Sequence, residues 1–77
     1  MDAAEIGSVI RFHRKQAGLT QKECARLAGI GKTALFDVEK GKATSQLSTV
    51  LAVCDVLNMS LELAGPLMEY YLETRSS

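Results

Sequence analysis

Eight of the nine Lys and Arg side chains fall between residues 11 and 42: Arg11, Arg14, Lys15, Lys22, Arg26, Lys32, Lys40 and Lys42. Only Glu23, Asp37 and Glu39 oppose them there, leaving that stretch a surplus of five positive charges. Residues 1–10 and 43–77 carry surpluses of two and three negative charges, so the whole chain is neutral. A basic block between acidic flanks suits one face to phosphate and another to something else. Scattered charge more often means only a solvated surface, so the elements must show whether these residues share a face. Other chemistry is poorly provided for. Cys24 and Cys54 stand thirty positions apart, with no CxxC pair and His13 as the only histidine, so neither a metal site nor a cofactor is expected. No nucleophile–base set, paired carboxylates or phosphate loop is evident, and an enzyme is not expected.

The chain has 77 residues, 47% of them apolar, and one proline, Pro66. That is one domain with a modest core, built from helices or helped by oligomerisation. No apolar run approaches the roughly 18 residues of a membrane span. Asp2 and Glu5 stand where a secretory signal would be basic, so a cytoplasmic protein is expected.

Ile6, Val9, Ile10 and Ala17 mark a helix over about residues 4–17, stopped by Gly18. Thr20, with Glu23 three residues on, is a capping box opening a second helix, whose expected apolar face is Cys24, Leu27 and Ala28 and which Gly29 ends. Gly31 can cap a third, running from about Lys32 to Lys40 with Leu35 and Val38 inward and Gly41 ending it. Leu47, Val50, Leu51, Cys54 and Leu57 give a fourth, closing near Asn58. Both cysteines thus lie on apolar faces and are expected in the core. At Met59–Leu63 the period changes to two, which reads as one short strand, with Met59, Leu61 and Leu63 on one side. A lone strand needs a partner, and a second copy across a two-fold axis would supply it. The alternative is an extended tail lying on helix four. The expected architecture is all-α, four to five helices with one C-terminal β-strand paired across a homodimer. Residues 1–65 form the domain, and residues 66–77 form a tail, short helix or frayed end, with mobility the favoured reading.

Two helices joined by a tight glycine turn within a basic block are the parts of a helix-turn-helix. It needs a small residue where the helices cross, a glycine at the turn and an aliphatic residue holding the second helix; Ala25, Gly29 and Leu35 fill these places. Leu19-Thr20-Gln21, Leu27-Ala28-Gly29-Ile30-Gly31, Leu35 and Glu39-Lys40-Gly41-Lys42 together resemble the Cro/C1 (XRE-type) helix-turn-helix family over roughly residues 6–63. The resemblance implies a lambda-repressor-like bundle whose third helix enters the major groove. Gly41-Lys42-Ala43-Thr44, Leu47-Ser48-Thr49-Val50-Leu51 and the Leu61-Glu62-Leu63 segment are closer to its HipB-like antitoxin branch.

By that resemblance Gln21 contacts phosphate and often a base, with Lys22 beside it in the DNA-binding set. Lys32, Thr33 and Asp37 face bases, and Lys40 and Lys42 contact phosphate. The chemistry fits: lysine suits guanine O6 and N7, threonine an edge or a thymine methyl, and aspartate can accept from cytosine N4. Asp37 is the ambiguous member, since a carboxylate near phosphates costs affinity unless it is paired. Phe36 is placed either to touch a thymine methyl or to cover the helix. Gly31 departs from the serine common at that cap, which removes a hydroxyl contact to phosphate. Arg14 lies on the apolar line Ile6–Ile10–Arg14, and Glu39 lies four residues after Leu35. Two opposite charges on inward faces predict one buried ion pair docking the first helix on the third; the alternative is two unrelated charges reaching solvent.

The function so implied is a sequence-specific transcriptional repressor, a homodimer on a palindromic operator in double-stranded DNA. In the antitoxin branch it would also neutralise a HipA-like serine/threonine kinase toxin and repress its own operon. A stand-alone phage-type or restriction-system controller is the alternative. An interaction module without DNA binding is a third possibility, opposed by the basic block with Gln21, Lys32 and Thr33 in place.

Overall fold

A computed structural model describes residues 1–75. Five helices follow one another: α1 (Ala3–Gln16), α2 (Gln21–Ala28), α3 (Lys32–Glu39), α4 (Leu47–Val56) and α5 (Met68–Arg75). The first two start on side-chain caps. Asp2 accepts from the Glu5 amide at 2.9 Å. Thr20 and Glu23 form a reciprocal box, with Glu23 N–H donating to Thr20 Oγ1 at 3.1 Å and Thr20 N–H donating to Glu23 Oε1 at 2.9 Å. Those caps hold Glu23 below the usual carboxylate range, the hydrogen bond from the Thr20 amide being the main cause.

The first four helices stop by one device. At the end of α2, Gly29 N–H donates to Arg26 O and Ile30 N–H to Ala25 O, with Gly29 at φ +70°. Gly18–Leu19, Gly41–Lys42 and Asn58–Met59 repeat the same bond pair after α1, α3 and α4, each around a left-handed residue. This is the Schellman motif, which satisfies orphan carbonyls and folds the next side chain back on the helix. After α1, α2 and α4 that side chain is Leu19, Ile30 or Met59, and each packs against the core. After α3 it is Lys42.

The buried core comprises Ile10 of α1, Cys24 and Ala25 of α2, Leu35 and Val38 of α3, and Val53 and Cys54 of α4. Helix α3 is therefore gripped from three sides, by α1, α2 and α4. Gly7 sets the closest of these approaches. A Cβ there would run into the carbonyl oxygens of Val38 and Glu39, 2.8 Å away in the latter case, so any larger residue forces α1 off the end of α3.

Several expectations are corrected. Leu27 is exposed, because the inner face of α2 runs through Cys24, Ala25 and Ala28 and leaves Leu27 a quarter-turn to the side. On α4 the inward face is rotated toward Val53, which is fully buried, while Leu47 and Leu51 face solvent. This helix is apolar on nearly every side, so periodicity alone could not fix its orientation. Val9 and Ala17 are likewise exposed.

The strand expected at Met59–Leu63 is not formed: there is no strand among the described residues. A strand requires a hydrogen-bonded neighbour, and a single chain offers this segment none. Residues 59–64 are an irregular arm that starts under Met59 and ends with Leu63 almost wholly exposed. The tail is not frayed through its described part. Residues 68–75 form α5, with Thr74 Oγ1 donating to Tyr71 O, yet α5 buries none of its residues. The rest of the tail, residues 76–77, lies outside the described residues.

Candidate nucleic-acid interface

The face of α3 turned from the core carries Thr33, Phe36, Asp37 and Lys40, with Lys32 at its N-terminal edge; all but the half-buried Asp37 are exposed. An eight-residue helix has little more than two turns, so Leu35, Val38 and Glu39 point inward and these five cannot. On one flank, α3 borders a groove walled by α1 and the start of α2. Arg11, Gln21, Lys22, Lys32, Phe36 and Lys40 line it, with the buried pair Arg14 and Glu39 at its floor. On the other flank, Asp37 and Lys42 meet Thr44 and Thr49 in a shallow cleft at the start of α4.

The floor is the most tightly bonded part of the molecule. Arg14 Nε donates to Glu39 Oε2 at 2.6 Å and Nη2 to Oε1 at 3.0 Å, a bidentate pair with both side chains almost fully buried. The remaining Arg14 donor, Nη1, reaches Leu19 O at 2.9 Å in the turn before α2. Gln21 Nε2 adds a bond to Glu39 Oε1 at 3.2 Å. The Glu39 carboxylate thus ties α1 and the first residue of α2 to the last residue of α3, while Arg14 also holds the α1–α2 turn. Burial pushes the Glu39 carboxyl upward, but hydrogen bonds from Arg14 and Gln21 and the nearby positive charge outweigh it, so it titrates below the usual range. Its hydrogen bond holds the Arg14 guanidinium charged, above its already high ordinary value.

Around this floor stand cations outside any ion pair: among the described residues Arg11, Lys22 and Lys32 have no carboxylate partner within ion-pair distance, Arg11 acting on Glu39 only from further off. Lys40 is placed by Phe36, its Nζ lying 5.5 Å from the ring centroid. Lys42 is the exception, with Nζ 3.4 Å from Asp37 Oδ2. Gly31 caps α3 without any side-chain bond, and a Cβ there would meet nothing within 4 Å, so the room for a capping hydroxyl is unused.

The structure brings Gln21, Lys22, Lys32, Phe36 and Lys40 to one groove and places Thr33 on the same exposed surface. Asp37 and Lys42 lie on the opposite flank. Met59, Leu61 and Leu63 lie outside the groove: Met59 packs on the core, Leu61 lines a recess with Ile6, Leu47 and Val50 that Lys42 also borders, and Leu63 projects outward. Sequence reasoning missed Arg11 as part of the groove. Helix geometry could have found it, since it follows Ile10 by one position and Gly7 by four, at the edge of the buried face of α1. Also missed was the bond from Gln21 to Glu39. His13, its Nδ1 2.8 Å from Val9 O, is an exposed surface residue away from the groove. No cluster of metal-ligating residues occurs among those described, and no helix is long and apolar enough to cross a membrane.

Comparison with known proteins agrees with this geometry. A family model described as Helix-turn-helix matches residues 10–63. The chain is 40% identical over 63 residues to y4mF of Sinorhizobium fredii, an uncharacterised HTH-type transcriptional regulator, covering 82% of this chain and 83% of that one. It is 37% identical over 67 residues to YazB of Bacillus subtilis, another such regulator, with 86% and 97% covered. A third relative, 30% identical over 61 residues, is the ImmF control region 10 kDa protein of Bacillus phage phi105, with 79% and 68% covered. Among solved structures, the HipB chain of a HipB–O4 20mer complex superposes with a TM-score of 0.77 at 23% identity, over 86% of this chain and 93% of that one.

Proposed function

The chain belongs to the Cro/C1-type helix-turn-helix family of transcriptional regulators, and from that premise we propose that it is a repressor binding a palindromic operator as a homodimer. The observation that carries this reading is the groove beside α3, where Arg11, Lys22 and Lys32 stand unpaired around a rigid, buried floor. Cations without counter-ions on a fixed scaffold are suited to displacing the ions condensed on DNA. Lys32 and Thr33 read base edges, with Phe36 beside them; Gln21, Lys22 and Lys40 hold the backbone. Binding-site selection followed by titration at several salt concentrations tests this. Lys40→Ala should weaken operator and random DNA alike and lower the salt slope by about one ion. Lys32→Ala should cost about 1–3 kcal/mol on the operator with little effect on random DNA. Equal losses on both DNAs for both variants would remove α3 from the role of reader.

The dimer reading rests on surface that one chain leaves uncovered. Leu47 and Leu51 of α4 and Leu61 and Leu63 of the arm are all exposed. Leu47 and Leu61 line one apolar recess, and exposed apolar surface of this kind marks an interaction site. In a second copy across a two-fold axis these leucines would find the cover that one chain does not give them.

The antitoxin role extends this proposal, supported by the HipB-like pattern of residues 41–51 and by the acidic end of the chain. Residues 43–77 hold Asp55, Glu62, Glu69 and Glu73 against Arg75, and α5 exposes Tyr70, Tyr71 and Leu72. Tyrosine and leucine side chains of this kind suit an interface core. A HipA-like serine/threonine kinase encoded beside this chain would be the partner. A pull-down with that gene product should lose most of its binding when the chain ends at Gly65; undiminished binding and neutralisation would clear α5 of the role. The similarity to the phage control-region protein favours the second reading, a stand-alone regulator with no toxin partner.

A further inference from the structure

Lys42 occupies a place that the fold otherwise gives to apolar residues. In the three sister motifs the side chain after the left-handed turn, Leu19, Ile30 or Met59, is drawn into the body. At the end of α3 the same turn, around Gly41 at φ +80°, folds back a lysine. Its main-chain N–H donates to Asp37 O at 3.0 Å, and its ammonium reaches the carboxylate of that same residue, Nζ to Oδ2 at 3.4 Å. Main chain and side chain of Lys42 are therefore both fastened to Asp37. The turn lies close against α1, since a Cβ at Gly41 would press on Ala4, 2.9 Å from its backbone nitrogen.

Asp37 in turn is the only carboxylate on the outward face of α3, next to Thr33 and Lys40. An unaccompanied carboxylate there would be repelled by every phosphate it approached. The pairing offsets part of that penalty and leaves Oδ1 without a hydrogen bond among the described residues. A fixed, charge-compensated acceptor at a base-reading position matches the one base that offers a lone donor in the major groove, cytosine through its N4 amino group.

We propose that Asp37 and Lys42 act as one neutral reading unit, in which Asp37 accepts a hydrogen bond from a cytosine N4 in each operator half-site and Lys42 serves as its counter-ion and positioning residue. This rests on the reading of the chain as a DNA-binding protein and departs from the expectation that Lys42 is a plain phosphate contact.

The test is binding-site selection with the full chain, then titration of the selected duplex and of duplexes changed at one position at a time. Wild type should select a cytosine that Asp37→Ala no longer distinguishes, a loss of about 5- to 150-fold in discrimination at that base pair. The same substitution should strengthen binding to random DNA, because a negative charge is removed. Lys42→Ala should erode the preference at that same pair, Lys42→Arg should retain it, and Lys40→Ala should leave it intact. The salt slope should change by less than one ion for Lys42→Ala, against about one for Lys40→Ala. If Lys42→Ala weakened all sequences uniformly and kept the cytosine preference, Lys42 would be an ordinary phosphate contact and the proposal would be overturned. If Asp37→Ala altered no position, Asp37 would not be a reader, and the proposal would fall on that ground too. If the wild-type chain selected no sequence at all, the DNA-binding reading itself would fail, and this inference with it.

Discussion

Replacing Glu39 by alanine is expected to lower the folding free energy by about 3–5 kcal/mol, because it strands the buried Arg14 guanidinium without its bidentate partner. A 77-residue chain is held together by roughly 4–12 kcal/mol in all, so a large share of its stability would be lost. The same deletion releases Gln21 from Oε1 and loosens the start of α2. Replacing both charges with apolar side chains, Arg14→Met with Glu39→Leu, should cost less than either single change, since no orphaned charge then remains. Urea denaturation of the two single variants and the double one measures this; a double variant as unstable as the sum of the singles would mean that the two residues act independently. The pair also sets a pH dependence. The Glu39 carboxyl in the folded chain titrates below its value in the unfolded chain, near 4.3. Its contribution is therefore complete above that value and is lost as pH falls through the lower, folded-state value. The capped Glu23 is depressed in the same direction. Stability should stay level between about pH 7 and 5 and decline below about 4, and Glu39→Gln should flatten part of that decline.

The other large effect is expected at Leu35, where truncation to alanine should cost about 2–5 kcal/mol. Leu35 is fully buried on the inner side of α3, in the cluster that also holds Ile10 of α1, Cys24 of α2 and Val53 of α4. A cavity there would open at the meeting point of all four helices, and the short α3 has only Val38 and Glu39 besides to anchor it. In a domain of this size each kcal/mol shifts the melting temperature by about 4–8 °C. Leu35→Met, which conserves volume, should lose under about 1.5 kcal/mol. A thermal scan showing equal loss for methionine and alanine would mean that Leu35 matters through its shape and not through the space it fills.

The helix boundaries and the outward residues of α3 were legible for the same reason: they are written in local chemistry. Thr20 with Glu23, Gly18, Gly29, Gly41 and Asn58 act on their own backbone, so the sequence neighbourhood contains the whole interaction. The outward residues of α3 follow equally from the inward ones, since Leu35 and Val38 leave only one face for Thr33 and Lys40. What depended on partners distant in sequence was less visible. Gly7 reads as an ordinary helix glycine until α3 is seen lying against it. The face of α4 read from Leu47, Val50, Leu51, Cys54 and Leu57 was right in part: tertiary packing kept Cys54 inside, added Val53 and turned Leu47 and Leu51 out. The arm at residues 59–63 has the pattern of a strand, but a pattern cannot supply the second strand. Arg14 and Glu39 were visible despite a separation of 25 residues because a charge on an apolar stripe is conspicuous.

The two thiols in the core give the molecule an internal clock for its own opening. Burial pushes both Cys24 and Cys54 above the ordinary thiol range, and both are free. A reagent that attacks thiolates meets neither an accessible sulfur nor an appreciable fraction of the reactive form while the chain is closed. Alkylation must therefore wait for a fluctuation that exposes each sulfur, and its rate measures how often that occurs. Cys24 reports on α2, whose start borders the groove, and Cys54 on α4, which carries the uncovered leucines. Anything that clamps α2 would slow modification of Cys24, and anything that covers α4 would slow that of Cys54, so two native side chains can tell apart what binds on each side without a label being introduced.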